Sequence, residues 1–349
     1  MPDLSVRFVP FGNTEDRACW DAYARNNDTW QGYFLSSWNL VFQDAFGHKA
    51  YLLAAFRTGK IAGILPLTLV ASRLFGRFLV SQPFVNYGGI LADDEAVAIA
   101  LAEKAGELRR EVSARSVELR LISPSGVSLP GRENHKVSML LDLPETSDQL
   151  WSGFKDKVRN QIRKARKCGL TVRTGGRELL DDFYQVFCVN MRDLGTPVYA
   201  KSFFDAVLRH FPKETTILGV YSDGRCIAAG ITYAYGTTLQ LPWASSLVSH
   251  RDACPNHLLY WDALSMGCEK GFASFDFGRS TPESGPWRFK KQWGARELPL
   301  HWEFILAEGE ALPDLSVSNA KFRLAIEAWK RLPLPVANFL GPKIVRGIP

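Results

Sequence analysis

Residues 275–294, FDFGRSTPESGPWRFKKQWG, combine charged, polar and aromatic side chains at a spacing that could serve chemistry. The pattern predicts a strand, then a Gly/Ser/Pro-rich loop, then a short basic helix. Cations at such a helix could stabilise the negative charge that develops on a carbonyl oxygen during acyl transfer. The candidate catalytic residues are Lys290, Asp276 and Arg288. The candidate substrate-binding residues of the same run are Arg279, Lys291 and Trp287.

Two features of this run leave alternatives open. Asp276 could deprotonate an attacking amine or orient Arg279, since both stand at the end of the predicted strand. Trp287, Phe289 and Trp293 could stack on a base or sugar, or pack in the core. Packing is the expectation for at least two of these three rings.

A second run, residues 154–168, predicts a basic helix. Phe154, Val158, Ile162 and Ala165 form one apolar stripe at helical spacing. Seven cations surround this stripe and Asp156 is the one acid, so the cations repel one another unless an anion binds. Phosphate groups suit them, although a solvated basic face that covers the core is the alternative. The candidate phosphate-binding residues are Lys157, Arg159 and Arg163.

Several classes of site are not indicated by the sequence. It contains no GxSxG nucleophile elbow, no GxxxxGK[ST] phosphate loop and no CxxC pair, and its six histidines are scattered. We therefore expect no metal and no resident cofactor. Direct transfer from an activated carbonyl to a bound amine stays plausible, because it needs mainly positioning and an oxyanion partner.

Composition predicts two globular domains and favours an anionic partner. The chain has 349 residues, 46% of them hydrophobic, and a net charge of +6. A mildly basic enzyme without a special partner is the alternative, and we expect no DNA partner. The first residues, MPDLSVRFVPFG, lack the basic and apolar regions of a signal peptide. A cytoplasmic location is therefore expected, with the inner face of the plasma membrane as a further option.

Two parts of the chain repeat one pattern of elements. Residues 51–64 and 217–231 each predict a hairpin, with turns at Thr58-Gly59 and Asp223-Gly224. Equivalent positions lie 165 residues apart, whereas Gly63 and Gly230 lie 167 apart, which indicates two extra residues in the second copy. A helix precedes each hairpin. Each hairpin is followed by an extended stretch, at 78–91 or 238–246. A helix, at 95–112 or 257–270, and then a short strand come after that stretch. Asn256 is the expected N-cap of the second of those helices.

This duplication predicts an α+β chain of two similar lobes, each a mixed, mostly antiparallel sheet with flanking helices. We expect the first lobe over residues 1–150 and the second over 151–310. Residues 311–349 form a tail, and its last part, 329–349, carries four cations, no acid and four prolines. The tail could lie on an anionic membrane, or it could pack in extended form on the second lobe.

At this point the sequence shows a family resemblance. Residues 157–170, KVRNQIRKARKCGL, resemble the K-x-R-x-x-I-x-x-A-x-x-x-G helix of FemAB-like transferases. Residues 275–280 with 287–294 resemble the FemAB-like protein associated with exosortase (PEP-CTERM) and exopolysaccharide gene clusters. The runs 63–67, 83–89, 255–256 and 329–335 fit the same group, and the 83–89 run supplies Tyr87 as a further candidate substrate-binding residue.

The resemblance implies two GNAT (N-acetyltransferase-like) lobes with a cleft between them. Studied members of the family transfer an amino acid from aminoacyl-tRNA to an amine of a peptidoglycan precursor. By resemblance, Lys290 matches a lysine that stabilises charge at the transferring ester, and Arg159 matches the helix that holds precursor phosphates. Residues 249–256, SHRDACPN, depart from the Q/R-x-x-G-x-G/A loop that grips CoA in GNAT enzymes, and no coiled-coil insertion is present.

These sequence patterns, together with the family resemblance, predict an acyl- or aminoacyltransferase that acts on an amine of an anionic cell-envelope precursor, related to peptidoglycan or exopolysaccharide. The donor stays undecided between aminoacyl-tRNA and acyl-CoA, and tRNA is therefore an optional partner. A CoA-dependent N-acyltransferase of a nucleotide sugar and a non-catalytic assembly protein are the two alternatives.

Overall fold

The computed structural model describes residues 4–27, 32–72, 75–312 and 320–348. The strands are β1 Leu4–Val9, β2 Lys49–Arg57, β3 Lys60–Ser72, β4 Gly76–Val80, β5 Leu91–Ala92, β6 Ser116–Leu121, β7 Gly131–Asp142, β8 Thr171–Gly175, β9 Thr215–Ser222, β10 Arg225–Tyr235, β11 Thr238–Ser246, β12 Ser274–Ser280 and β13 Arg296–Leu306. The α-helices are α1 Thr14–Asn26, α2 Ser37–Phe46, α3 Glu95–Glu111, α4 Ser147–Gly153, α5 Asp156–Lys167, α6 Leu180–Leu194, α7 Lys201–His210, α8 Pro255–Glu269, α9 Gly285–Lys291, α10 Ala320–Lys330 and α11 Leu334–Val345.

The chain divides into two compact units. Unit 1 comprises Met1–Lys136, Pro299–Leu315 and Arg346–Pro349, and unit 2 comprises Val137–Leu298 and Ser316–Val345. This division differs from the boundaries expected at residues 150 and 310. The reason is that β7 and β13 are single strands that each contribute residues to both units, which the sequence pattern of either strand does not reveal.

Unit 1 is built on a mixed sheet with strand order β1-β2-β3-β4-β6-β13. Helix α3 covers one face of this sheet, where Leu53, Leu65 and Leu101 are fully buried. Helix α1 belongs to a second apolar cluster, in which Trp20 packs with the alternate strand residues, among them Leu52. Successive residues of a strand therefore have their side chains buried on opposite faces of the sheet, as the two-residue period of a strand requires.

Unit 2 is built on strands in the order β7-β12-β11-β10-β9-β8. β11 and β12 are parallel and the other pairs are antiparallel. Helices α6 and α8 pack on β10 and β11. Phe203, Phe204 and Trp243 form an edge-to-face aromatic cluster in this core. The predicted α+β architecture of mixed, mostly antiparallel sheets with flanking helices is confirmed.

The two units share one order of elements, and the predicted hairpins are confirmed. Thr58-Gly59 and Asp223-Gly224 all have positive φ, between 49° and 79°, as a type I′ turn requires. Each hairpin also has a bulge, opposite Ala55/Phe56 in unit 1 and opposite Val220/Tyr221 in unit 2. The bulged residues are Ala62 and Ile227, which are again 165 apart, so the inferred two-residue insertion before Gly230 is wrong.

Two local predictions are corrected by the structure. The stretch 78–91 was expected to be extended, but only Gly76–Val80 and Leu91–Ala92 form strands. Between them Gln82 and Phe84 adopt positive φ, and such backbone cannot pair in a sheet. Helix α8 begins at Pro255, whose fixed φ suits the first helical position, so Cys254 and not Asn256 is the N-cap.

The C-terminal segment of unit 2 is helical, not extended. Helices α10 and α11 both pack on α6. A Cβ at Gly341 of α11 would approach the backbone nitrogen of Val198 to 2.8 Å, so glycine permits the close approach there. Across the residues that the structure describes, none of the helices is both long and apolar enough to cross a membrane.

Candidate active site

The centre of the candidate site lies in unit 2, where strands β11 and β12 part. Their parallel pairing covers three residues of each strand and ends at Gln240 and Asp276. The register between β12 and β7 then shifts between Asp276 and Arg279, and Gly278 at this bulge has a φ of 76°. A bulge re-aims the backbone that follows it. The carbonyls of Gly278 and Arg279 are therefore available to a partner outside the ladder.

Asp276 connects three strands at this point. Its carboxylate is 1% exposed and accepts hydrogen bonds from Ser138 Oγ of β7 at 2.8 Å and from the Gly278 amide at 2.7 Å. Gln240 Nε2 of β11 donates to the other carboxylate oxygen. A buried carboxylate needs such donors to compensate its lost hydration. Asp276 is the third of the seven residues of β12, so its predicted position at a strand end is wrong, and its surroundings indicate that it holds the strands together.

Lys290 projects from α9 into the same place. Ser284 caps this helix, because its Oγ accepts the amide of Trp287 at 3.3 Å. Lys290 is 7% exposed, and its Nζ donates to the carbonyl oxygens of Gly278 at 2.9 Å and of Arg279 at 3.1 Å. An ammonium group has three hydrogens, so one stays available for a further acceptor.

Burial lowers the pKa of Lys290 towards physiological pH. Loss of hydration lowers the pKa of Lys290 from 10.5 to about 8, Asp276 partly opposes the shift, and Arg279 reinforces it. Strongly perturbed lysines of this kind are frequent at functional sites. Lys290 can therefore change its charge near physiological pH.

Aromatic side chains fix the orientation of α9. Trp293 is 1% exposed and contacts Phe289 and Tyr260, with ring centroids 6.1 and 6.2 Å apart. His257 lies against Phe289 at 5.2 Å, and burial lowers the pKa of this imidazole to about 4, so it is neutral at pH 7. Trp293 is thus buried and the half-buried Phe289 packs against it, in agreement with the expectation of packing for two of the three rings.

Two other predicted residues of this run, Arg288 and Lys291, lie on the outer side of α9. Arg288 is exposed, and residues two positions apart on a helix do not face each other, so Arg288 and Lys290 point in different directions. Lys291 is also exposed and pairs with Glu297 at 2.7 Å, with its Nζ 5.4 Å from the centre of the Trp287 ring. Arg279 is half-buried. The structure therefore brings Asp276, Arg279 and Lys290 together and separates Arg288 from Lys290.

The basic helix α5 has the predicted orientation. Val158, Ile162 and Ala165 are buried, as is Phe154 just before the helix, which confirms the apolar stripe. The stripe faces α8, whose contact with α5 is extensive. The cations are consequently directed outwards, as the amphipathic pattern requires.

The three predicted phosphate-binding residues differ in their surroundings. Lys157 and Arg163 are exposed, and the Arg163 guanidinium lies 5.4 Å from the centre of the Trp151 ring. Arg159 is half-buried and pairs with Asp156 at 2.6 Å. An anion would therefore compete with Asp156 for Arg159, whereas Lys157 and Arg163 are directly accessible.

Tyr87 does not belong to this arrangement. It lies in unit 1, is 1% exposed, and packs edge-on against Tyr33 with ring centroids 5.8 Å apart. So little exposed surface gives a ligand almost nothing to touch. We therefore leave Tyr87 out of the candidate site.

The site includes residues that sequence reasoning missed. Ser138 and Gln240 both hydrogen-bond to Asp276, from positions 138 and 36 residues away in the chain. Neither belongs to a charged or aromatic cluster that would have drawn attention. The position of Gln240 between two leucines of β11 was the one available signal, since a buried amide needs a partner.

Comparison with known proteins identifies the fold of this region. Residues 152–291 match the family model described as the acetyltransferase (GNAT) domain. The fold is that of GNAT acetyltransferases. The domain match supports a transferase, as predicted, and it spans the basic helix α5, the Asp276 bulge and Lys290. A search of curated proteins finds no match.

Solved structures extend the likeness in fold to most of the chain. The crystal structure of FemX is 15% identical, with a TM-score of 0.67 over 85% of this chain and 96% of its own. A tandem GNAT protein from the clavulanic acid biosynthesis pathway is 14% identical, with a TM-score of 0.55 over 89% and 100%. L-PGS from Bacillus licheniformis is 10% identical, with a TM-score of 0.56 over 92% and 98%. The predicted tandem GNAT-like architecture is thereby confirmed.

Proposed function

We propose that this protein transfers an activated acyl or aminoacyl group to an amine of an anionic cell-envelope precursor, related to peptidoglycan or exopolysaccharide. The observation that carries the proposal is Lys290, a buried lysine with a pKa of about 8, set beside the strand opening of a GNAT domain. The exposed cations of α5 support an anionic acceptor.

The proposed reaction joins the acceptor nitrogen to the carbonyl carbon of the donor. The amine attacks that carbon and the carbonyl oxygen gains negative charge. The bond to the donor oxygen or sulfur then breaks, and the proton lost by the nitrogen passes to that leaving oxygen or sulfur. In the ammonium form, Lys290 directs two hydrogens to the Gly278 and Arg279 carbonyls. Its third hydrogen is the one that would stabilise the developing charge, a contribution of about 2.7–4 kcal/mol for one such donor.

The cations of α5 would hold the phosphates of the acceptor. Lys157 and Arg163 are exposed, and Arg159 could exchange its Asp156 partner for a phosphate, which it can bind bidentately. Asp276 would position the bulge, and Arg279 would lie next to the reacting groups. These roles are assigned by the proposal and rest on position, burial and charge.

The decisive experiment is single-turnover transfer with labelled aminoacyl-tRNA and with labelled acetyl-CoA, using lipid-linked and nucleotide-linked amino sugars as acceptors. Lys290→Ala should lower kcat much more than it raises KM. Lys213→Ala, which removes an exposed lysine elsewhere in unit 2, should have little effect. Equal kcat in wild type and Lys290→Ala would remove Lys290 from the mechanism.

The same assay separates the alternatives. Turnover with acetyl-CoA alone would favour a CoA-dependent N-acyltransferase, which the match to an acetyltransferase domain model keeps open. Turnover with aminoacyl-tRNA alone would favour aminoacyl transfer. No turnover with either donor, together with tight binding to envelope-assembly proteins, would favour a non-catalytic role.

Phosphate recognition by α5 can be tested by its salt dependence. Binding of a nucleotide-linked acceptor should weaken as salt rises, because ion pairs with phosphate are screened. Lys157→Glu should weaken binding and flatten this dependence. Lys213→Glu, at an exposed lysine in another part of unit 2, is the matched control. Equal losses in both variants would show that overall charge, and not α5, attracts the acceptor.

A further inference from the structure

The outer face of α11 exposes large apolar side chains. Phe339 is 64% exposed, Val336 40% and Leu340 37%. With Lys343 they occupy positions i, i+3, i+4 and i+7, which lie on one side of a helix. Most large apolar residues of a globular protein are covered, so a cluster of this kind indicates a surface that contacts something.

The other face of α11 is fixed to unit 2. Ala337, Gly341 and Val345 are buried at four-residue intervals. The backbone at Gly341 approaches Val198 so closely that even a methyl group would collide with it. The helix therefore cannot rotate to cover Phe339 and Leu340 without losing this packing.

Helix α10 also exposes a large apolar side chain. It also packs on α6, and Leu324 is 73% exposed. Among the described residues, nine large apolar side chains are exposed, and four of them lie within residues 324–345: Leu324, Val336, Phe339 and Leu340. Four of the nine thus fall within 22 residues of the chain, three of them on one face of α11, while the other five lie elsewhere.

Cations accompany these apolar side chains. The Nζ of Lys343 lies 3.5 Å from the centre of the Phe339 ring, and Lys343 is the one charged residue of α11. Arg331 follows α10 and is exposed. Lys330 pairs with Glu327, the one acid of residues 324–345. The surface therefore carries net positive charge.

We propose that the outer face of α10 and α11 binds the surface of a membrane that contains anionic lipid. Phe339 and Leu340 enter the boundary between headgroups and acyl chains, while Lys343 and Arg331 contact lipid phosphates. Helices that lie in the interface combine aromatic and aliphatic residues with flanking cations in this way. A second copy that used the same face would bring its cations together with only Glu327 to offset them, whereas anionic lipid offsets all of them.

Vesicle co-sedimentation tests the inference without any donor or acceptor, so its outcome is independent of the transfer reaction. The full chain should bind vesicles of phosphatidylcholine mixed with phosphatidylglycerol and bind pure phosphatidylcholine vesicles much less. Phe339→Glu should lower the partition coefficient at least about tenfold, because a carboxylate replaces the inserted ring and faces anionic lipid. Lys343→Gln should lower it about fivefold.

Val248→Glu is the matched control, since Val248 is 48% exposed in the same unit but lies away from α10 and α11 in sequence. It should bind within a factor of about two of wild type. Circular dichroism melting should show that Phe339→Glu is folded. Absence of binding that depends on phosphatidylglycerol, or equal losses in Val248→Glu and Phe339→Glu, would overturn the proposal. A dimer in light scattering that Phe339→Glu dissociates would overturn it in favour of self-association.

Discussion

The buried lysine of the candidate site makes a prediction that needs no knowledge of the substrate. Lys290→Met keeps the length and the apolar stem of the side chain and removes the amine. In the wild type, Nζ donates to the carbonyls of Gly278 and Arg279 while burial disfavours its charge. The variant loses both hydrogen bonds, at about 1–3 kcal/mol for each carbonyl left without a donor. It also loses the unfavourable burial of the charge, so the two effects oppose each other at pH 7.

The pH dependence separates the two effects. The pKa of Lys290 is about 8 in the folded protein, below its ordinary value of 10.5. Between these values the unfolded chain binds more protons than the folded one, so the folded state gains stability as the pH rises. With about 1.36 kcal/mol for each pKa unit, the gain from pH 7 to 10.5 is roughly 3 kcal/mol. A neutral amine keeps two N–H donors, so both carbonyl bonds can survive deprotonation.

Urea denaturation of wild type and Lys290→Met between pH 7 and 10.5, followed by tryptophan fluorescence, measures this difference. The free energy of unfolding of the wild type should rise relative to the variant by about 3 kcal/mol across that range. Lys291→Met is the control, because Lys291 is exposed, and its difference from wild type should vary little with pH. If the free energy of unfolding of the wild type stays constant or falls relative to that of Lys290→Met as the pH rises, the assignment of Lys290 as a buried, desolvated ammonium is refuted.

Two further predictions concern Lys290 and Asp276, and a third concerns the buried carboxyl group of Asp262. If the ammonium form of Lys290 stabilises the oxyanion, kcat should fall as the pH rises through about 8, whereas a rise through that pH would assign the neutral amine as a base. Asp276→Asn should destabilise the fold by about 1–3 kcal/mol, since an amide cannot accept hydrogen bonds from all the donors that Asp276 has. It should also lower the pH range over which Lys290 loses its proton, because Asp276 raises the pKa of Lys290. Thermal unfolding at several pH values measures both effects. Burial raises the pKa of Asp262 from 3.8 to about 6, so the stability from its protonated form is present below pH 4 and lost by pH 7. Asp262→Asn should therefore be more stable than wild type at pH 7.5, by up to about 3 kcal/mol, and not at pH 4; an equal effect at both values would contradict this reasoning.

Local sequence determines the elements that were predicted well. The turns at Thr58-Gly59 and Asp223-Gly224 need residues that accept positive φ, and both pairs are recognisable within a few positions. The stripe from Phe154 to Ala165 gives the orientation of α5, because a helix with one apolar face has only one way to bury it. The basic side of α5 follows from the same periodicity.

Features that depend on distant contacts could not be predicted. Nothing near Asp276 in the sequence indicates that Ser138 would supply a donor, because β7 and β12 meet only in the folded sheet. The unit boundary inside β7 has the same origin. The direction of Lys290 depends on the start of α9 at Gly285, and a shift of one residue there would turn this side chain about 100° away.

These contacts link two residues that the sequence treated as separate candidates. Asp276 accepts the Gly278 amide, which fixes the bulge, and the carbonyls of Gly278 and Arg279 that follow hold Lys290. A carboxylate with three donors and 1% exposure is poorly placed to collect a proton from a bound amine. Asp276 therefore fits a positioning residue better than a catalytic base. Its loss should act on the reaction through the place and the pKa of Lys290, so Asp276→Asn and Lys290→Met should not be additive in their effects on kcat.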